Sequence, residues 1–437
     1  MPTPLYDCLK QFAAQAPLRM HMPGHKGKPL PAPELAGLSA LDFTELPPTG
    51  NLYEEGEPFD SAQKLWGSDF GFDHCQFLTG GSTMGIHTGL TLCCPPGSSV
   101  LVDRGCHRSV FHSMALLDLK PIYLERPWVG EEGIVGPFVP SDVEHRLKNH
   151  PEIKTVCITS PTYCGVLSDV AGISQVVHRY GAKLMVDGAH GAHLPFLGVK
   201  TFEGADVVVT SAHKTLPAMG QSALLFTRGF KPNLVRRYAT LYGSSSPSYP
   251  MLASLDVARD YLEGEGGSEY RRVAARVSEL RKTFPSLGEN FTLDPCRFTV
   301  KSKDGPALTQ RLEELGVYPE MEDGGHVVFI LTCADSDADL DRLEQALKQC
   351  SDLLGDREVP LPPPPLPEVV VSQRTALFST TQTLPLEKCE GRVAACQLAP
   401  YPPGVPVVAP GERISKKELS YFHQIGYNKD SVEVMVE

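Results

Sequence analysis

Two short apolar runs, each ending at a charged side chain, lie one strand–helix unit apart and constrain this chain more than any other feature. The first is Lys183-Leu184-Met185-Val186-Asp187, followed by Gly188-Ala189-His190-Gly191-Ala192-His193. The second is Val207-Val208-Val209-Thr210, followed by Ser211-Ala212-His213-Lys214-Thr215-Leu216. Runs of this kind mark strands buried on both faces of a parallel sheet. In open α/β sheets, ligands bind outside the carboxyl ends of such strands.

A partly desolvated lysine at that edge can serve as an amine nucleophile. A strand-end Asp followed, after one crossover, by a strand-end Lys is the arrangement a pyridoxal phosphate site needs. Lys214 would hold the cofactor's aldehyde covalently. Asp187 would keep a proton on the pyridine nitrogen, so that the ring stays an electron sink. Ser211 and His213 offer donors to an anion. The plain alternative makes Asp187 a helix cap and Lys214 a surface side chain.

The rest of the chain supplies the context. A length of 437 residues with 41% apolar content predicts two or three domains with a sizeable core. With 40 Lys+Arg against 52 Asp+Glu, the net charge is −12, which argues against nucleic acid or an anionic membrane as partner. No apolar run reaches the roughly 20 residues of a spanning helix. The start, Met-Pro-Thr-Pro-Leu-Tyr-Asp-Cys, lacks the pattern of a signal peptide, so a cytoplasmic location is expected. The twelve cysteines are therefore read as reduced thiols; none forms a CxxC pair, and no metal site is expected.

Residues 59–230 alternate strand and helix, the pattern of a parallel sheet covered on both faces. Gln76-Phe77-Leu78-Thr79 is a strand leading into Gly80-Gly81-Ser82-Thr83, where glycines and hydroxyls open a helix as a phosphate cradle would. His107 follows the strand 99–103 at the same expected edge; it would stack over a heteroaromatic ring or cap the next helix. Residues 217–226 read as a returning strand. One long helix is expected over roughly 251–284. Residues 296–353 read as strand, helix, strand, helix. Pro360 to Pro367 is a polyproline spacer. The proline-dense stretch from Ala399 to Ile414 reads as an ordered loop. The expected organisation is an N-terminal segment (1–58), a large domain (59–250), a small α/β domain (251–358) and a C-terminal domain (368–437).

These motifs, in this order, resemble the fold type I pyridoxal phosphate enzymes that decarboxylate ornithine, lysine or arginine. The resemblance rests on Met22-Pro23-Gly24-His25-Lys26-Gly27, Gly81-Ser82-Thr83, Asp103 to Val110, Pro161-Thr162-Tyr163-Cys164-Gly165, Asp187 to His193, Ser211 to Leu216 and the loop from Pro400 to Glu412. It implies an aspartate-aminotransferase-like large domain with a mainly parallel sheet, a smaller α+β domain and a C-terminal domain. It also implies a short form without the N-terminal wing domain of the large inducible members. Catalytic roles then fall to Lys214, His107 and His190, and cofactor binding to Ser82, Thr83, His107, Asp187, His190, Ser211, His213 and Lys214. Glu412 is expected to meet the distal cation of a basic amino acid, with sites shared across a homodimer. The expected reaction is decarboxylation of arginine, lysine or ornithine to a di- or polyamine; another fold type I chemistry such as aminotransfer is the alternative. Gly188 stands where the family usually has glutamate, and Gly80 where it usually has asparagine.

Overall fold

A computed structural model describes residues 2–436 apart from 31, 289, 360–361, 401–405 and 428. The chain divides into two compact units. One comprises residues 1–92, 185–272 and 332–334; the other comprises 93–184, 273–331 and 335–437. Among the described residues no helix is long and apolar enough to cross a membrane.

In the first unit, strand Ala223–Thr227 lies between His74–Leu78 and Val207–Thr210 and is antiparallel to both, while Val207–Thr210 runs parallel to the strand ending at Asp187. The returning strand expected over 217–226 is thus the antiparallel Ala223–Thr227. Three strands therefore end at one edge, at Leu78, Asp187 and Thr210. Leu78 pairs with Ala223, Thr210 with Leu224 and Asp187 with Val209. All residues of His74–Leu78, Val207–Thr210 and Ala223–Thr227 are buried, as the near-continuous apolar sequences of the latter two require; the first also buries His74 and Gln76.

The helix Gly81–Cys93 starts directly at that edge. Gly85 and Gly89, one turn apart, let it lie close on the strands. A Cβ at Gly85 would stand 2.5 Å from Val209 Cγ1, and one at Gly89 would stand 2.7 Å from Met185 Cε. Any larger residue would lift the helix, and with it the Ser82–Thr83 turn, away from the sheet.

The segment 42–58 has no regular structure but is well tied. Phe43, Thr49 and Leu52 are buried, Thr49 Oγ1 donates to Thr44 O at 2.6 Å, and Tyr249 Oη donates to Gly50 O at 2.6 Å. Ahead of the motif 22–27, the Arg19 guanidinium donates to the carbonyls of Ala40 (2.7 Å) and Asp42 (3.0 Å) and stacks on Phe43 at 3.7 Å. His25 Nε2 meets Asp42 Oδ2 at 3.1 Å. The N-terminal helix Pro4–Ala14 is held from a distance in sequence: Asp256 Oδ2 accepts the N–H groups of Leu5 (2.8 Å) and Tyr6 (3.1 Å).

The single helix expected over 251–284 is instead two, Tyr249–Glu263 and Glu265–Thr283. Gly264, at φ −117° and ψ −109°, breaks the hydrogen-bond ladder between them. Apolar periodicity continues across the break, so the pattern alone does not reveal it; the Gly-rich Gly264-Glu265-Gly266-Gly267 does.

In the second unit, strands Thr155–Thr159, Ser99–Asp103 and Lys120–Leu124 lie side by side in that order, and the middle strand is parallel to both neighbours. A three-stranded antiparallel sheet places His326–Ile330 between Arg297–Lys301 and Met321–Glu322, with helices Gly305–Glu314 and Asp337–Gln349 nearby in sequence. The last helix is shorter than the expected 335–353; Ser336 caps it by accepting Asp339 N–H, and a 3₁₀ turn, Ser351–Leu353, follows.

The C-terminal region pairs Thr381–Leu384 with Val432–Met435 around its own core, which includes Leu398, Val408, Ile414, Phe422 and Val434. Residues 362–367 of the proline run have no regular structure, whereas Pro360 and Leu361 lie outside the described residues. The same is true of Tyr401 to Val405 in the expected ordered loop; from Pro406 onward the loop is buried and hydrogen-bonded.

Candidate active site

The first unit brings together seven of the expected site residues. Asp187 closes its strand, buried, and its Oδ1 accepts Ala189 N–H at 3.2 Å. That bond turns the backbone so that His190, also buried, faces the lysine: Lys214 Nζ and His190 Nε2 are 3.0 Å apart. Ser211 N–H donates to Ala189 O at 3.3 Å, which ties the two strand-end turns together. Lys214 is half-buried in the short helix Ala212–Thr215.

Ser82 and Thr83 occupy the first turn of the Gly81–Cys93 helix, half-buried and exposed respectively. The first N–H groups of a helix have no intrahelical acceptor and carry the positive end of its dipole, so this turn suits an anion. The loop before Ala223 connects it to the lysine turn. A Cβ at Gly81 would touch Gln221 O at 3.8 Å, and the next residue, Ser222, accepts from the His213 side: its O lies 2.8 Å from Nδ1. His213 thus uses one ring nitrogen to fix the loop.

Three buried hydroxyls around the lysine turn, Thr210 Oγ1, Ser211 Oγ and Thr215 Oγ1, have no hydrogen-bond partner among the described residues, and Ser211 stands at the start of that turn. A buried hydroxyl without a partner costs about 1–3 kcal/mol. A phosphate ester would satisfy that of Ser211. The fit to pyridoxal phosphate therefore rests on three features of this unit: a strand-end carboxylate, a strand-end amine, and a hydroxyl-lined helix start with an orphaned serine.

The two departures at glycine have a common steric reason. A Cβ at Gly188 would lie 2.6 Å from Phe202 Cε1, and one at Gly80 would lie 2.9 Å from Met84 Cβ. Phe202 and Met84 fill the space that a longer side chain at 188 or 80 would need.

The other two expected residues belong to the second unit. His107 caps the helix Arg108–Leu117 at the end of strand Ser99–Asp103. Its Nδ1 accepts Ser109 N–H at 3.3 Å and meets Ser109 Oγ at 2.9 Å, while the ring itself is exposed. In the neutral ring this leaves the proton on Nε2.

Glu412 has a different occupation from the one expected of it. Instead of offering a free carboxylate to a substrate cation, it is wholly buried, and its Oε2 accepts from Arg104 (2.8 Å) and from Ala409 N–H (2.7 Å). Burial raises its carboxyl pKa, against the pull of Arg104. A proline-dense loop hid this pairing, since nothing in the spacing marks Arg104 as its partner 308 residues away.

Sequence reasoning also missed Arg126. Its guanidinium grips Asp103 through Nε and NH2, at 3.1 and 2.6 Å to Oδ2, and lies 4.3 Å over Phe138. Asp103 additionally accepts Gly105 N–H at 2.8 Å. A charged residue directly after a buried strand was the available signal for both Asp103 and Arg104.

Known proteins resemble this chain over most of its length. The family profile "Orn/Lys/Arg decarboxylase, major domain" matches residues 3–304, and the "Orn/Lys/Arg decarboxylase, C-terminal domain" matches 366–430. The chain is 30% identical to Bacillus subtilis "Uncharacterized protein YaaO" over 99% of this chain and 96% of that protein. It is 29% identical to the Bacillus subtilis arginine decarboxylase, over 96% and 93%. Among solved structures, the Escherichia coli constitutive lysine decarboxylase superposes with a TM-score of 0.81 at 20% identity, covering 99% of this chain and 82% of that one. A serine palmitoyltransferase of Sphingomonas wittichii shares the fold over 67% of the chain, with a TM-score of 0.55 at 17% identity. By profile matches that span most of its length, this chain belongs to the Orn/Lys/Arg decarboxylase family.

Proposed function

We propose that the protein is a pyridoxal phosphate-dependent lyase that decarboxylates a basic amino acid (arginine, lysine or ornithine) to the corresponding amine and carbon dioxide. The observation that carries this reading is the Lys214–His190 contact of 3.0 Å, built on the strand-end turn that Asp187 organises. When bound, the cofactor supplies an electron sink for the bond broken at the α-carbon.

The chain's own residues do the rest. Lys214 would hold the cofactor's aldehyde and, once the substrate amine has displaced it, either Lys214 or a histidine would return a proton to the α-carbon. His190, in contact with Lys214 Nζ, would share that proton. Asp187, buried at its strand end, would keep the ring nitrogen protonated. The N–H groups of the Ser82–Thr83 turn would hold the phosphate together with Ser211 and His213, and Ser211 Oγ would gain a partner there. His107, with its ring orientation set by Ser109, would stack on the cofactor ring. In this reading Glu412 is not the acceptor for the substrate's distal cation.

The names of the relatives favour arginine or lysine as substrate. The same reading takes the chain to act in the cytoplasm as a homodimer, in polyamine synthesis. The experiment is a carbon dioxide release panel with arginine, lysine and ornithine in the presence of pyridoxal phosphate. Release from one of the three supports the reading. Transfer of the amino group to a keto acid, with no carbon dioxide formed, would replace it by an aminotransferase.

A further inference from the structure

The loop that carries Glu412 belongs to the C-terminal region, yet three of its acceptors are taken by a single side chain just past the end of the strand Ser99–Asp103. Arg104 is buried. Its NH1 donates to Pro406 O at 2.7 Å, and its NH2 donates to Val407 O at 3.1 Å and Glu412 Oε2 at 2.8 Å. The guanidinium lies 5.2 Å from the ring centre of Tyr123 and 5.8 Å from that of Phe111. A second tie runs from the helix Gln373–Leu377 of the C-terminal region to the neighbouring strand Lys120–Leu124, since Gln373 Nε2 donates to Tyr123 Oη at 3.0 Å.

Arg104 stands three residues before His107, and the stretch between has little freedom of its own. Arg104 N–H donates to Leu124 O at 2.9 Å, and Cys106 N–H donates to Asp103 O at 3.1 Å. His107 is itself fixed by Ser109. The turn 103–107 is therefore gripped on one side by Arg126 through Asp103, and on the other by the C-terminal loop through Arg104. A guanidinium with three directed acceptors and two aromatic faces defines an orientation, which a simple point charge would not.

We propose that Arg104 and Glu412 are positioning residues, through which the C-terminal region sets the place of His107. This rests on the reading of His107 as the group that stacks on the cofactor. It gives the C-terminal loop a part in the reaction that needs no contact between Glu412 and substrate.

The test uses the full-length protein and the variants Glu412→Gln, Arg104→Lys and His107→Ala. Pyridoxal phosphate uptake by the wild type, followed by its visible absorbance, examines the functional reading separately, because hydrogen exchange needs no cofactor. In Glu412→Gln, amide exchange of the segment 103–110 should accelerate at least tenfold, while the C-terminal core around Leu398, Phe422 and Val434 keeps its protection. The visible circular dichroism of the bound cofactor should change in the same direction as in His107→Ala. Arg104→Lys keeps the charge but not the three-way geometry, so it should show the same two effects. It also serves if Glu412→Gln does not fold. If exchange rises only in the C-terminal core, or segment 103–110 and the dichroism stay as in the wild type, the pair merely glues two parts together and the proposal is overturned.

Discussion

The strand ends of the two units treat charge differently. In the first, Lys214 Nζ meets His190 Nε2, Asp187 Oδ1 accepts Ala189 N–H, and a buried hydroxyl, Ser211 Oγ, has no hydrogen-bond partner among the described residues. In the second, Asp103 and Arg104 are each held by several directed bonds, to Arg126 and to the 406–412 loop. Polar capacity that the fold does not consume is available for a ligand; charge that is fully engaged makes a frame. The contrast sets residues placed to meet a ligand against residues that hold their neighbours in place, and it can be broken at each level.

The largest effect is expected at the reactive end. Lys214→Ala should lower decarboxylation by more than about 10³-fold and abolish the visible absorbance of lysine-bound cofactor. Retention of both the band and the turnover would remove the lysine from the mechanism. Next comes the frame. Asp103→Asn leaves Arg126 buried without its counter-charge, which should cost about 3–5 kcal/mol of stability in a urea titration.

The buried carboxylate that holds the N-terminal helix gives a third, pH-dependent test. Burial raises Asp256 to about 6 against the opposing N–H groups of Tyr6 and Leu5 and the charge of Arg259. Its folded pKa lies above the unfolded one. Its contribution is therefore fully favourable below about pH 4 and is lost as pH rises through about 6, a swing of about 3 kcal/mol at most. Asp256→Asn keeps an acceptor for the N-terminal helix without the charge. Its melting temperature relative to the wild type should rise between pH 4 and 7; a gap independent of pH would mean that Asp256 ionises normally.

Gly188→Ala forces a Cβ against Phe202 and should cost about 1–3 kcal/mol, with much of the loss recovered by Phe202→Leu in the same chain. Additivity of the two substitutions would show that Phe202 is not what excludes a side chain at 188. The smallest effect belongs to the surface. The Arg413–Glu368 pair, 3.0 Å apart but largely exposed, should contribute about 0.2–1 kcal/mol, measured by a double-mutant cycle.

How much of this was legible in sequence follows from the range of the forces involved. The strands ending at Asp187 and Thr210 were readable because a strand buried on both faces must be apolar throughout. The start of the Gly81–Cys93 helix was readable because glycine and hydroxyl residues mark such turns. The break at Gly264 was obscured by apolar periodicity that continues through it. The roles of Met84 and Phe202 in filling the space at Gly80 and Gly188 had no local sign at all.

The sequence by itself determined where the buried strands end and which polar side chains stand at those ends, because backbone pleat, helix period and strand-end composition are set by neighbours in the chain. Which carboxylate meets which cation was decided only by the tertiary structure. Glu412 could be assigned to a substrate on paper, and the fold gives it to Arg104. Ion pairs form between groups brought together by packing, and burial then demands that each charge find a partner within about 3 Å, however far away that partner lies along the chain.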